Sequence, residues 1–592
     1  MQNPPNAAAA SAEETNLLGR YHRELAWVFA LCLAVLISFW PVLEADFLAW
    51  DDDINIYENP RITALNAENL AWMFADFEHA LRYKPLSWLS WAIIHQFSGL
   101  HPFGYHFANL LLHCVNTVLV FVLLRQLALR VMGEIAVEKL NYVSSCAAAG
   151  TAFWALNPLR VESVAWATAL PYGQALLFLL LSLLSYLRYC ADVATRVKWY
   201  WAAVVCFALA LLTYPTVLGF LGVLVLLDFW PLKRLERMRA FAFSEAQTRR
   251  VWLEKVPFLA LTTVFVLGTL YGRAHATGDW PEPKSLTEYG LTSRVMQGFY
   301  VWAYYLWKPL WPMDLAPMYT TFLYFKPFDA AFLVSLVAVL GISLGALAGA
   351  RRLPLLMVLW FAHLALLVPV LGLTERPHYH HDRYSLIEGI CWAGLITAGL
   401  MALGQRKQFM KPAGVVCAAG MIALATLSHR QTAIWQNNIV FLEYLVTKLD
   451  DTAYRSTAYL KLGNVYLGTG DEAKATNAFR QSIALNPGFA KPHFNLANVL
   501  AGQKKFDEAV PLFREAIRLD PKHVGARNNL AIVLAELGRL DEAAALVNEA
   551  LQLEPDNADL HYNQAQILQK QGRTAEAAAH YQRADRLKNQ PR

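Results

Sequence analysis

The chain has 592 residues, of which 56% are hydrophobic, 13% aromatic and 16% charged, with 19 Trp. Residues 457–592 carry 17 Lys/Arg and 15 Asp/Glu, whereas the 456 residues before them carry only 34 and 31. Apolar runs of about 20 residues recur through that first part, which excludes an ordinary soluble enzyme there and disorder for most of the chain; a net charge of +5 gives no reason to expect a nucleic-acid partner.

The expected fold class is all-α: a polytopic membrane domain followed by an α-solenoid. Residues 1–23 read as a cytoplasmic lead, and no small-residue cleavage site follows the first apolar run, so that run is expected to be an uncleaved anchor. Eleven spans are expected, near 24–42, 103–124, 143–157, 171–189, 199–213, 216–230, 256–272, 328–348, 353–373, 385–403 and 411–428. Lys and Arg cluster in the connections on one side: Arg20 and Arg23; Arg125, Arg130 and Lys139; Arg188, Arg196 and Lys198; Lys233 through Lys255; Arg351, Arg352, Arg406, Lys407 and Lys411. The positive-inside rule makes that side cytoplasmic. The stretch from Phe299 to Met313 is apolar, but its Trp302, Trp307 and Trp311 suit a helix lying in the interface. The multispan domain thus covers 24–428, a linker helix 429–456, and the repeats and the long loop 43–102 share the outer side. All seven cysteines fall in apolar stretches without a CxxC pair and read as packing residues.

Candidate chemistry gathers in the outer connections. Trp50-Asp51-Asp52-Asp53 places three adjacent carboxylates just beyond the first span. Such a group needs cations or hydrogen-bond donors when partly buried. One member can act as general base toward a hydroxyl, and a neighbour can hold a divalent cation, Mg or Mn. The alternative is an acidic solvated turn. Lys84, in Tyr83-Lys84-Pro85, suits a phosphate. Arg376, His378, His380, His381, Asp382, Arg383 and Tyr384 form a second cluster fit for an anionic headgroup or diphosphate. Asn157, Arg160 and Glu162 make a smaller polar knot. His106, Asn109, His113 and Asn116 fall on one face of a predicted span, more in keeping with interhelical hydrogen bonds than with catalysis.

From residue 457 a 34-residue period sets Gly463, Ala497, Ala531 and Ala565 in register, followed by Ala475, Ala509, Ala543 and Ala577. Asn486-Pro487, Asp520-Pro521 and Glu554-Pro555 close the first three units. Small residues let two antiparallel helices approach, and each Pro ends the second one. The segment resembles four tetratricopeptide repeats, whose stacked helices offer a concave groove to a peptide or protein partner, or serve as a rigid arm.

Several blocks together resemble the transmembrane and tetratricopeptide-repeat-containing O-mannosyltransferases. They are Phe47 through Asp53 with Glu58-Asn59-Pro60; Tyr83-Lys84-Pro85; Phe103-Gly104-Tyr105-His106 through His113; Asn157 through Trp166; and Leu227-Asp228-Phe229-Trp230-Pro231. The resemblance implies a GT-C-type glycosyltransferase that takes a sugar from a polyprenyl-phosphate carrier to a protein or glycan hydroxyl. Asp51 and Asp52 then map onto the family's acidic pair, with Asp53, Glu162, Arg160 and His106 in support. Lys84, Arg383, His378 and His381 would hold the donor phosphate, and the protein would sit in a bacterial inner membrane with its repeats in the periplasm. The sequence departs from the family at Leu170-Pro171-Tyr172-Gly173-Gln174, at Thr213-Tyr214-Pro215 and at Asn157-Pro158. A reading of another class is a non-catalytic scaffold that assembles an envelope complex on its repeats.

Overall fold

The computed structural model describes residues 7–76, 83–133, 137–192, 194–236, 242–274, 290–322, 326–373, 380–450 and 452–589. Their regular structure is all helical, with no strand among the described residues. They divide into two compact units, Met1–Phe441 and Leu442–Arg592.

The first unit begins with α1 (Ala7–Phe39), and its outer connection holds α2 (Ala67–Ala75) and α3 (Pro85–Ser98). Then come α4 (Pro102–Met132), α5 (Val137–Ala155), the one-turn α6 (Val161–Ala165) and α7 (Leu170–Ala191). Next are α8 (Arg196–Thr213), α9 (Phe220–Phe229), α10 (Ala246–Leu253), α11 (Val256–Ala274) and α12 (Leu291–Trp307). The unit continues through α13 (Ala330–Gly349), α14 (Pro354–Leu367), α15 (Ser385–Leu403) and α16 (Lys407–Thr432). Eight helices among the described residues are long and apolar enough to cross a membrane, which makes this an integral membrane protein. Helices occupy all eleven expected positions, but Pro215–Phe229 and Pro354–Val370 are shorter. The expected span at 143–157 is α5, whose inner face is built from small residues, Ala147, Ala148 and Ala152, packed on α15. Prolines at 215, 354 and 369 cut the two short ones, because a proline removes a backbone donor and crowds the preceding turn. The outer surfaces of α13 and α16 expose Val334, Val337, Val415 and Val416, as a helix facing hydrocarbon should.

Helix α12 buries Val301, Tyr304 and Tyr305, while Trp307 at its end and Trp311 just beyond it are exposed. The stretch 429–456 is not one helix: it holds the end of α16, a 3₁₀ turn (Ala433–Trp435) and α17 (Asn438–Lys448).

On the side expected to be cytoplasmic, a buried ionic knot joins three elements. Asp228, fully buried at the end of α9, accepts from Tyr186 (2.9 and 2.8 Å), Arg234 (3.1 Å) and Lys255 (2.5 Å). Glu254 pairs with the other arm of Arg234 and receives the Tyr189 hydroxyl. Charges this deep persist only when paired and hydrogen-bonded.

The second unit is a stack of helix pairs: α18 (Thr452–Gly468) with α19 (Glu472–Leu485), α20 (Ala490–Gly502) with α21 (Phe506–Leu519), α22 (Val524–Glu536) with α23 (Leu540–Leu553), and α24 (Ala558–Lys570) with α25 (Thr574–Lys588). Ala497, Ala531 and Ala565 are fully buried between paired helices, and Phe479 and Phe513 fill the seams. Each unit buries only part of its apolar face alone, so stability accrues by stacking.

Candidate functional site

Past α1 the chain runs through a 3₁₀ turn (Trp40–Glu44) into a tight loop. The loop is tied down from several directions. Asp46 N–H donates to Gln436 O (2.8 Å), Ala49 N–H to the Asn438 side chain (2.6 Å), and the Asn438 amide returns a bond to Phe47 O (3.0 Å). The Trp50 ring lies 5.7 Å from that of Phe441. Asp51 follows with φ +72°, a left-handed conformation uncommon for residues with a Cβ but more accessible to Asp than to most. Its carbonyl accepts from the backbone N–H (3.0 Å) and side-chain amide (2.7 Å) of Asn55. Residues Asp53–Tyr57 form a π-helical turn, a rare form that is frequent at functional sites.

The three adjacent carboxylates have different environments. Asp51 is exposed. Asp52 is fully buried; its Oδ2 accepts from Leu48 N–H (2.8 Å), and its Oδ1 accepts from Thr168 N–H (3.0 Å) and the Thr168 hydroxyl. Burial pushes its carboxyl up to about 7, against the pull of those three donors and with a further push from Asp51. Asp53 receives the next backbone N–H, that of Ile54 (2.9 Å).

Lys84 reaches the same loop. Its ammonium donates to Asn55 Oδ1 (2.8 Å) and lies over the rings of Trp88 (4.4 Å) and Trp91 (4.9 Å). Asn55 thus bridges Lys84 to the Asp51 carbonyl, a link the sequence did not reveal.

The second half of the site comes from the broken stretch between α5 and α7. Trp166 donates its indole N–H to Trp50 O (2.9 Å), and its ring sits 5.2 Å from the Arg383 guanidinium. Arg383 is held bidentately by Glu162: its backbone N–H meets Oε2 (2.8 Å) and its Nη1 meets Oε1. Its Nε donates to the Tyr172 hydroxyl (2.9 Å), which donates to the Tyr214 hydroxyl (3.0 Å). Burial raises the Glu162 carboxyl above its ordinary range, although Arg383 opposes this. His381 Nδ1 lies 3.8 Å from Glu162 and 3.2 Å from Pro317 O. Thr168 and Trp166 therefore join the Asp51–Asp52 turn to the Glu162–Arg383 pair.

The remaining expected residues go elsewhere. Arg160 turns to Ser385, bonding its carbonyl (2.7 Å) and hydroxyl (2.6 Å). His106 is buried against the backbone of Ala45, Asp46 and Ala165. His378 and Arg376 lie outside the described residues. His380 is packed between Tyr304 (4.3 Å) and Tyr319 (4.5 Å), away from His381. The polar stripe on α4 is interhelical: Asn109 donates to Trp166 O (2.8 Å), His113 bonds Ala155 O (3.0 Å), and Asn116 donates to Gly173 O (2.8 Å). These bonds satisfy carbonyls around the helix break, where the backbone has lost its own partners.

The sequence marked Tyr172 and Tyr214 only as departures from the family and gave no sign of Thr168, nor of a buried pair on the membrane helices. His363 of α14 meets Glu388 of α15 at 2.9 Å, and its other ring nitrogen bonds Trp302 O (3.1 Å). Among the described residues no cluster of three or more His, Cys, Asp or Glu is placed to hold a metal. Three donors already occupy the Asp52 carboxylate, so Asp51 and Asp52 do not fit a two-carboxylate cation site.

Known proteins resemble this chain in two separate ways. A family model described as the tetratricopeptide repeat matches residues 460–524, 494–558 and 528–591. Protein O-mannosyl-transferase Tmtc1 of Drosophila melanogaster is 29% identical over 175 residues, which are 28% of this chain and 19% of that protein. Protein O-mannosyl-transferase TMTC2 of Mus musculus is 26% identical over 258 residues, 40% of this chain and 29% of that one. The matched segments thus span less than a third of the length of these relatives. A solved structure of MamA is 30% identical and covers 25% of this chain and 87% of its own, with a TM-score of 0.23.

Proposed function

We propose that this protein is a GT-C-type membrane glycosyltransferase that moves a sugar from a polyprenyl-phosphate carrier to a hydroxyl of a protein or glycan on the outer side of a bacterial inner membrane. The observation that carries the proposal is the joining of the Asp51–Asp52 turn to the Glu162–Arg383 pair by Trp166 and Thr168. The similarity to curated O-mannosyltransferases supports it and favours mannose as the sugar.

In such a transfer the bond between the sugar and the phosphate oxygen breaks, and a bond from the same carbon to the acceptor oxygen forms. The acceptor proton goes to a base, and the carrier leaves as polyprenyl phosphate. Asp51, exposed and held by its backbone, is the carboxylate placed to take that proton. Asp52 is a positioning residue that fixes the turn to the start of α7. Arg383, oriented by Glu162 and Tyr172 among aromatic faces, and Lys84 would balance charge on the leaving phosphate. No step runs through a metal.

The test is transfer from a panel of labelled polyprenyl-phosphate sugars in membranes. Asp51→Asn is expected to abolish transfer while thermal unfolding stays unchanged; undiminished transfer would overturn the assignment of the base. If the folded wild type transferred from no donor, the scaffold reading would replace the enzyme.

A further inference from the structure

We propose that the last repeat carries a site for a late first-row divalent cation such as Zn²⁺, held between His561 and His580. The proposal stands on the repeats alone and holds whether or not the membrane unit transfers a sugar.

His561 lies on α24 and His580 on α25, both half-buried. Their Nδ1 atoms face each other at 2.9 Å, with the ring centres 5.1 Å apart. The other ring nitrogen of His561, Nε2, bonds the Pro555 carbonyl (3.0 Å). A carbonyl only accepts, so that nitrogen carries the proton, and in the neutral ring Nδ1 is left with a lone pair. His580 Nδ1 then donates to it. One ring nitrogen anchored on a main-chain carbonyl while the other presents a lone pair is the arrangement that metal-bound histidines adopt.

The repeat itself does not require this pair. At the register of His580 the earlier repeats hold Ala478, Leu512 and Leu546. His493, two periods before His561, makes the same carbonyl bond, to Pro487 (3.0 Å), but Leu512 stands at the His580 register of that repeat. The carbonyl bond is thus shared between repeats, whereas the second imidazole is an addition in the last one.

Zn²⁺ binds imidazole nitrogen at about 2.0–2.1 Å, and a tetrahedral angle sets two such nitrogens about 3.3–3.4 Å apart. The present 2.9 Å falls short by about 0.4–0.5 Å, a gap that small side-chain rotations close. On binding, the proton on His580 Nδ1 moves to its Nε2. Both rings stay neutral, and the cation exchanges two waters for two nitrogens, so no other reactant is needed. Glu576, one turn before His580, is engaged by Arg573 through both carboxylate oxygens (2.8 and 2.7 Å), so water completes the shell. Imidazole suits Zn²⁺, Cu²⁺ and Ni²⁺, whereas Mg²⁺ and Ca²⁺ take oxygen ligands.

The experiment uses the full chain in nanodiscs, purified on a histidine-free tag, with ZnCl₂ as the ligand and amide hydrogen exchange as the readout. With Zn²⁺ at about 100 times its dissociation constant, exchange in α24 and α25 is expected to slow about tenfold or more, while α18 and α19 stay unchanged. MgCl₂ at the same concentration is expected to have no effect. His580→Leu, which installs the residue of the preceding repeat, should abolish the slowing, and His580→Cys, which offers a thiolate instead, should retain it. A purely structural histidine would not give that division. Equal slowing in His580→Leu and wild type, equal slowing by Mg²⁺, slowing confined to other helices, or none at all would each overturn the proposal. Should His580→Leu fail to fold, the wild-type exchange map and the Mg²⁺ control decide by themselves.

Discussion

Replacing Thr168 by Val keeps the shape of the side chain and removes only the hydroxyl that donates to Asp52. A hydrogen bond to a charged acceptor contributes about 1.5–3 kcal/mol, and this one favours the ionised carboxylate. At about 1.36 kcal/mol per pKa unit, its loss should move the Asp52 midpoint up by about one to two units, from its present value of about 7. The sign for stability follows. Asp52 titrates higher in the folded protein than the 3.8 of a free carboxylate. The native state therefore keeps a proton that the unfolded chain releases, and stability falls as pH rises through that window. In Thr168→Val the decline should continue about one to two units further toward alkaline pH. Two measurements check this: thermal unfolding of the detergent-solubilised chain across neutral pH, and infrared titration of the buried carboxyl stretch, assigned with Asp52→Asn. Thr168→Ser should titrate as wild type. An identical midpoint in Thr168→Val and wild type would show that the hydroxyl does not govern Asp52.

Breaking the Glu162–Arg383 pair from one side leaves a buried charge: Arg383→Met is expected to cost about 3–5 kcal/mol in unfolding experiments. The double variant Glu162→Gln, Arg383→Met should recover much of that, and strictly additive losses would count against the pair. A Cβ on Gly463 would lie 2.4 Å from the Phe479 ring. Gly463→Val should therefore destabilise the repeat unit by about 1–3 kcal/mol, seen as a lower melting midpoint; an unchanged midpoint would mean that Phe479 yields freely. Asp228→Asn strands Lys255 and one arm of Arg234, so folded protein recovered from membranes should fall sharply, while Asp192→Asn, at an exposed loop, should leave recovery unchanged.

Apolar length and the 34-residue period carried the fold, because both are properties of a single stretch of chain. Two of the eleven expected spans are shorter helices, Pro215–Phe229 and Pro354–Val370, bounded by Pro215, Pro354 and Pro369, which average hydropathy does not register. The stripe of Asn109, His113 and Asn116 was legible as interhelical, since spacing on one helix shows which side chains share a face. The partners were not: they are backbone carbonyls around a helix break. Asp51, Asp52, Lys84, Glu162 and Arg383 stood out as charges in outer connections, and the structure brings them together. What it adds are neutral go-betweens, Asn55, Trp166, Thr168 and Tyr172, whose roles depend on contacts more than 25 residues distant in the chain. The pair His363 and Glu388 escaped notice for a related reason. Each is a lone polar residue in an apolar run, and only their 2.9 Å approach makes them a unit.

The ionic knot at Asp228 also constrains how the protein is made. Helix α9 is one of the shorter apolar helices and ends in a carboxylate whose cationic partners, Arg234 and Lys255, are synthesised six and 27 residues later. Until those residues emerge, lipid around α9 would face an unmatched charge at the helix end, at a cost below the about 2.5–3.5 kcal/mol of a charge at a helix centre on insertion scales. Release of α9 from the insertion machinery should therefore wait for Lys255, making membrane assembly here a matter of chain timing. Nascent chains halted before and after Lys255 should differ in how readily α9 crosslinks to lipid; equal crosslinking would show that α9 partitions on its own.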